Sequence, residues 1–285
     1  MQRSARQWFD LCAGNQECTL QAAYGVYSFI PSTNDPVGSE LFFQANFGLS
    51  FLTEALEFIS QLYAYPFRSG TLVDIGANIG TTSIQAILSG KVRRAIALEP
   101  DPQHFKFLRR NIENNRLEDR ILPLPLAVSS RRAPALFARS SRNTADNHIH
   151  SMDDGLPVLT GAETSQIITV RANTLDNILE DLPPSYTAGL SAIWLDVQGH
   201  EALIFQGAPK TFSRDLPVVA EVNPATIIRA GLTPEEYCAT CRGYWKYFWL
   251  HTADGFKKFG LEALPHFLDY LYDGPQEYDV IYANR

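Results

Sequence analysis

The apolar residues of the chain come in short continuous runs that alternate with stretches of helical spacing. "GTLVDIG" (70–76), "RAIALEP" (94–100), "AIWLDVQG" (192–199) and "PVVAEV" (217–222) are short, apolar and closed by Gly, Pro or a polar residue, the pattern of strands covered on both faces. "ILPLPLAVSS" (121–130) reads as a further strand, and Pro123 and Pro125 place it at a sheet edge, because proline cannot donate to a ladder. "KYFWLH" (246–251) and "EYDVIYA" (277–283) complete the series. Helical spacing appears in 47–65, where Phe51, Leu52, Ala55, Leu56, Ile59 and Leu62 recur on one side and Pro66 marks the stop. Further helices are predicted over 81–90, 101–117, 173–182, 200–208 and 233–244. The last opens with Thr233 as cap, Pro234 at the first position and Glu236 completing a capping box.

Five alternations of strand and helix predict an α/β fold: a doubly wound, mostly parallel sheet with helices on both faces. A terminal strand with no helix directly before it predicts an antiparallel edge. Residues 50–285 form the expected main domain, and 1–49 an N-terminal extension that could cap a substrate, with a short helix at 5–13 and a linker or turn at 30–40. "ALFAR" (135–139) and "IITVRA" (167–172) alternate like the strands of an inserted hairpin, flanking a polar loop at 139–155. The stretch 255–275 reads as irregular.

Composition narrows the function. At 285 residues with 45% apolar and 19% charged side chains, the chain can bury a sizeable core. A net charge of −7 argues against a nucleic-acid substrate, whose phosphates want a basic surface. No apolar run of membrane-spanning length and no secretory signal is present, so a cytoplasmic protein without a membrane partner is expected, and a homo-oligomer is compatible with the sequence. The four cysteines, Cys12, Cys18, Cys238 and Cys241, could together bind zinc, but a lone CxxC is weak evidence and buried free thiols are the better reading.

The chemistry centres on "LVDIGANIGTTS" (72–83). Gly76, Asn78 and Gly80 stand at spacing two after Asp74, at the end of the first core strand and the start of a helix. Ligands of open parallel sheets bind at that strand end. The dinucleotide fingerprint needs G-x-G-x-x-G, and an acid in the loop is a poor neighbour for a pyrophosphate. An acid suits a cation, such as the ammonium of S-adenosylmethionine. Glu99, at the end of the next strand, can accept from ribose hydroxyls. The loop therefore fits S-adenosylmethionine better than a nicotinamide cofactor.

At these residues the chain resembles the FkbM-type S-adenosylmethionine-dependent methyltransferases. "DIGANIGTTS", "ALEPDPQHFKFLRRNIENN", "LAVSS", "TLDNIL", "WLDVQGHEALIFQGA" and "VVAEVNP" follow the blocks of that family in order. The resemblance covers about residues 50–285. It implies a class I methyltransferase sheet of seven strands, order 3-2-1-4-5-7-6 with the last antiparallel, and methyl transfer to an oxygen of a sugar, polyketide or other small molecule. It places Asp74, Gly76, Asn78, Gly80, Glu99, Pro100, Ala127 and Asp196 at the cofactor. Members commonly read K-I-D-V-E-G-x-E at the fourth strand, where this chain has Trp194 for the lysine and Gln198 for the first glutamate. Those departures bear on the acceptor and keep a catalytically silent binding protein as the alternative.

Asp196, His200 and Glu201 follow the fourth strand, and Glu221 and Asn223 the fifth, so both tips share one crevice. A hydroxyl acceptor needs its proton taken, which makes His200 the candidate base, with Asp196, Glu201 and Glu221 beside it. Positioning alone is the second reading. A magnesium ion on Asp196, Glu221 and Asn223 is the third and is not favoured. His148 and His150, in the polar loop, read as solvated.

Overall fold

The computed structural model describes residues 3–64, 67–140, 143–151 and 166–285. Its strands are β1 (Cys18–Ala22), β2 (Gly25–Phe29), β3 (Thr71–Ile75), β4 (Arg94–Leu98), β5 (Ile121–Leu124), β6 (Ala127–Val128), β7 (Ala133–Arg139), β8 (His148–Ser151), β9 (Gln166–Asn173), β10 (Leu190–Leu195), β11 (Val218–Val222), β12 (Tyr247–Thr252), β13 (Gly255–Gly260) and β14 (Tyr278–Ala283). The central sheet has the order β13-β12-β14-β11-β10-β3-β4-β5. From β5 to β11 the pairing is parallel, and β14, β12 and β13 add antiparallel ladders. The expected seven-strand order is embedded in this sheet, but the sheet is mixed and has an eighth strand, β13, at its edge.

Every residue of β3 and β10 is buried, which is why these runs read as continuously apolar. Alternate side chains feed two cores. Val73, Ile75, Ile96, Leu98, Ile193 and Leu195 face one helical layer. Leu72, Ala95, Ala97, Ala192 and Trp194 face the other. Several connections end in a capped helix. Asp101 accepts from the amides of Gln103 and His104 to open the helix Pro102–Asn114, and Thr233 and Glu236 form the expected capping box.

Three segments differ from the sequence reading. The stretch 255–275 is ordered: it holds β13 and the helix Leu264–Asp273, whose Leu264, Leu268 and Leu271 point inward at helical spacing. Pro265 hides that helix in the sequence, yet proline is tolerated in a first turn. The supposed linker at 30–40 contains the start of a helix, Pro36–Phe43, capped by Asp35. The inserted hairpin is a four-stranded sheet of order β6-β9-β7-β8, and β8 lies in what reads as polar loop. The helix stop expected at Pro66 and residues 141–142 and 152–155 of the 139–155 loop lie outside the described residues. The helix itself runs Leu49–Tyr63, and Ala64 follows in the left-handed region.

Trp8, Tyr27, Phe29, Val37, Leu41 and Phe42 pack into the same core as the helix Leu49–Tyr63. Asn111 accepts from the amide of Ser28 at 2.6 Å and Asn115 from that of Val26 at 2.8 Å, so β2 is bonded to the helix Pro102–Asn114.

Candidate active site

The carboxyl ends of β3, β4 and β10 open into a cleft, the place where open parallel sheets bind their ligands. Its wall includes Gly76, Asn78, Glu99, Pro100, Ala127, Asp196 and His200, so the structure gathers most of the sequence-predicted residues in one place. Asn78 takes the left-handed conformation, φ 50°, and its amide donates to Glu99 Oε2 at 2.8 Å. The other oxygen of Glu99 accepts from the amide of Asp101 at 2.8 Å. Burial pushes this carboxyl up to about 8, against those two amides. The β3 loop and the end of β4 are thereby locked together around one acid.

Two predicted cofactor residues stand behind the cleft instead of lining it. Asp74 is buried and turned toward the helix Thr81–Leu88, where it accepts from the Ser83 amide at 3.1 Å and its hydroxyl at 2.5 Å. These bonds tie the loop to the helix start, and burial raises Asp74 to about 7. Gly80 precedes that helix at φ 92°, and a β-carbon there would meet Leu108. Gly76, at φ 87°, is required by its neighbour: a β-carbon would overlap the main-chain carbonyl of Asp196.

The fourth-strand residues divide. Asp196 is open to the cleft floor. His200 is 4% exposed, Ser129 Oγ lies 2.8 Å from its Nε2, and burial holds it down to about 4. An imidazole so buried and engaged is a weaker base than a free one. Its Nδ1 is a buried polar atom with no partner among the described residues. Glu201 is buried away from the cleft; it accepts from the Gly199 amide at 3.3 Å, and burial raises it to about 7.

Glu221 faces a neighbouring hollow of about 540 Å³ with Phe51, His251, Glu277, Tyr278 and Asp279. Gln198 joins the two places. Its amide nitrogen stands 3.0 Å from Asp196 Oδ1 and 2.8 Å from Glu221 Oε2. Burial, with the carboxylates of Asp196, Glu277, Asp279 and Glu201 behind it, lifts Glu221 to about 10. Where the resembling family has a glutamate, this chain thus places a neutral donor between two acids. Trp194 packs against Phe51 with ring centres 5.8 Å apart, an apolar contact in place of the lysine.

Asn223 caps the helix Pro224–Arg229, accepting from the Ala225 amide at 3.0 Å, which takes up the oxygen that the magnesium reading needed. No cluster among the described residues has the make-up of a metal site. Cys238 and Cys241 lie in the core on one side of the sheet, and Cys12 and Cys18 pack against the core on the other, so the four cannot share a zinc. The segment around 138–156, expected to help build the acceptor pocket, brings Asn147, His148 and Ile149 to the cleft, and Phe137 of β7 joins them. Arg229 pairs with Asp146 at 2.8 Å, so this segment is also fastened to the helix after β11. No helix among the described residues is long and apolar enough to cross a membrane.

The family model of the methyltransferase FkbM domain matches residues 74–271. No curated protein matches the chain. Among solved structures it is similar to a methyltransferase FkbM from Methylobacillus flagellatus KT, at 15% identity and a TM-score of 0.40, with 75% of this chain and 44% of that one covered. It thus spans less than half the length of that protein. Pyrococcus horikoshii TYW2, solved in complex with MeSAdo, is 16% identical at a TM-score of 0.41, with 94% of this chain and 72% of that one covered. A precorrin-6y C5,15-methyltransferase from Geobacter metallireducens GS-15 is 12% identical at a TM-score of 0.38, with coverage of 76% and 81%.

Proposed function

The chain belongs to the FkbM methyltransferase family, and on that premise we propose that it moves a methyl group from S-adenosylmethionine to an oxygen of a small-molecule acceptor. The observation that carries the reading is the shared cleft, in which Glu99, the Gly76–Asn78 backbone and Asp196 line one wall system at the carboxyl ends of three parallel strands. Glu99 keeps lone pairs for the ribose hydroxyls while its two amide bonds fix its position. Pro100 and Ala127 flank the nucleoside, and Gly76 and Asn78 offer main chain at close range. When bound, the cofactor supplies an electrophilic methyl group on a sulfonium.

The acceptor side falls to Asp196 and Glu221, held apart and oriented by the Gln198 amide. Asp196 is placed to accept a hydrogen bond from the acceptor hydroxyl and to take up its proton as the methyl group is transferred, while Phe51 and Tyr278 bound the hollow beyond it. Most of the acceleration then comes from alignment, with His200 buried too far down in pKa to serve as a strong base.

The test is ligand binding followed by turnover. S-adenosylhomocysteine should raise the melting temperature and NAD should not, since only a ligand of the folded state stabilises it. Labelled S-adenosylmethionine should then transfer its methyl group to a component of a small-molecule extract, with fragmentation showing an O-methyl product. Stabilisation by NAD alone would overturn the assignment.

A further inference from the structure

The inserted sheet is fastened to the rest of the chain by ties of unequal strength. Where β7 ends, Arg139 Nε lies 2.6 Å from Oδ2 of Asp101, the fully buried cap of the helix Pro102–Asn114. The same guanidinium donates to Gln103 Oε1 at 2.8 Å. That end of the sheet is pinned on a buried carboxylate. Residues 143–151 are held differently. Their strand, β8, is an edge strand that pairs with β7, and its register shifts between Leu136 and Phe137. Each side chain from Ala145 to His150 is half-buried, whereas Leu98, Glu99, Val128 and His200, which line the same cleft, are buried. An edge segment with little buried surface opens at a lower free-energy cost than the core beside it.

An ion pair ties this segment to the helix Pro224–Arg229: an Arg229 terminal nitrogen lies 2.8 Å from Asp146 Oδ1, and both side chains stay partly exposed. The same nitrogen donates to the main-chain carbonyl of Gln198 at 3.4 Å, in the turn after β10. The arginine is thus anchored on the main sheet's side, and Asp146 is the half of the pair that belongs to the inserted segment. Ala145, Asn147, His148 and Ile149 line the cleft together with Gly76 and Glu99, so a nucleoside held at Glu99 is bounded by the strand ends and by this segment. We propose that residues 143–151 form a lid on the cofactor cleft and that the Arg229–Asp146 pair is its latch. The lid swings from the end pinned at Asp101, and cofactor enters and leaves when the latch breaks. The inference rests on the reading that the cleft holds S-adenosylmethionine.

Surface plasmon resonance of the immobilised full chain with S-adenosylhomocysteine reads the two rates. That ligand has no net charge at neutral pH, so salt acts on the latch and not on its approach. In the wild type, raising salt to about 0.5 M should speed association and dissociation alike by about threefold, the scale of a screened, partly exposed ion pair. Asp146→Asn should be faster than the wild type in both directions at low salt, again by about threefold, and should lose the salt dependence. A merely structural ion pair would make Asp146→Asn release the ligand faster without admitting it faster, and that result overturns the proposal. Equal rates in Asp146→Asn and the wild type overturn it too. If Asp146→Asn does not melt as a folded protein, Arg229→Gln is read in its place by the same criteria. A wild type that does not bind S-adenosylhomocysteine removes the cofactor reading itself, which separates that failure from failure of the latch.

Discussion

The amide of Gln198 donates to the carboxylate of Glu221 across 2.8 Å, and the same nitrogen lies 3.0 Å from Asp196. A neutral donor here lowers the cost of holding two acids close together. Gln198→Glu would remove that donor and add a third carboxyl group to a site where burial and neighbouring acids already raise Glu221. The expected result is a loss of about 2 kcal/mol of stability at pH 8, shrinking at pH 5 as the cluster takes up protons. Urea unfolding at the two pH values measures it; equal loss at both would show that charge is not the cause.

The glycines of the loop should behave differently from one another. A β-carbon at Gly76 meets fixed main chain at Asp196, whereas one at Gly80 meets the movable end of the Leu108 side chain. Gly76→Ala should therefore destabilise the fold by roughly 3 kcal/mol or more, and Gly80→Ala by roughly 1–2 kcal/mol, mostly for its left-handed backbone. Chemical denaturation of both variants checks the order. A Gly76→Ala protein as stable as the wild type would mean that the strands can separate there at no cost.

That contrast shows what was legible in the sequence. Spacing alone marks Gly76 and Gly80 as special, but not that one is needed for a strand crossing and the other for a helix start. The strands β3, β4, β10 and β11 are legible because burial on both faces leaves uninterrupted apolar runs. Asp74 illustrates the limit: its position before the glycine loop is plain, yet whether a carboxylate turns to ligand or to Ser83 is set by a helix start nine residues on. His148 was illegible because a four-residue strand in a polar stretch has no hydrophobic signal, and its place on the cleft arises from pairing with β7. Gln198 was visible as a departure, but its bridging of two acids needs the left-handed turn, φ 56°, that aims its side chain.

Glu99 combines two functions, so its removal should show in two measurements. Glu99→Ala deletes the acceptor of the Asn78 and Asp101 amides as well as the proposed ribose contact. Affinity for S-adenosylhomocysteine should fall by roughly 0.5–1.5 kcal/mol per lost bond, the range for hydrogen bonds to a neutral group. Glu99→Gln, which keeps an acceptor for one amide, should lose less. Calorimetric affinities that do not separate the wild type from either variant would assign Glu99 to the loop alone.

The buried acids also set how stability follows pH. Folding raises Asp74 and Glu201 to about 7, Glu99 to about 8 and Glu221 to about 10, from ordinary values of 3.8 for Asp and 4.5 for Glu. The unfolded chain releases these protons near its ordinary values while the folded chain retains them. Over the interval between, the folded state binds more protons, so stability falls as pH rises. His200 acts in the opposite sense: folding lowers it from 6.5 to about 4, so it disfavours the fold only below 6.5 and contributes nothing further above. Between pH 6.5 and 9 the acids are therefore left to dominate, and the melting temperature should fall steadily across that range. Glu221→Gln should flatten the upper part of that fall, because its titration reaches the highest pH. Thermal melts across the range read both effects. A melting temperature that rises toward pH 9 would mean that these carboxyl groups are charged in the folded protein and find cations there.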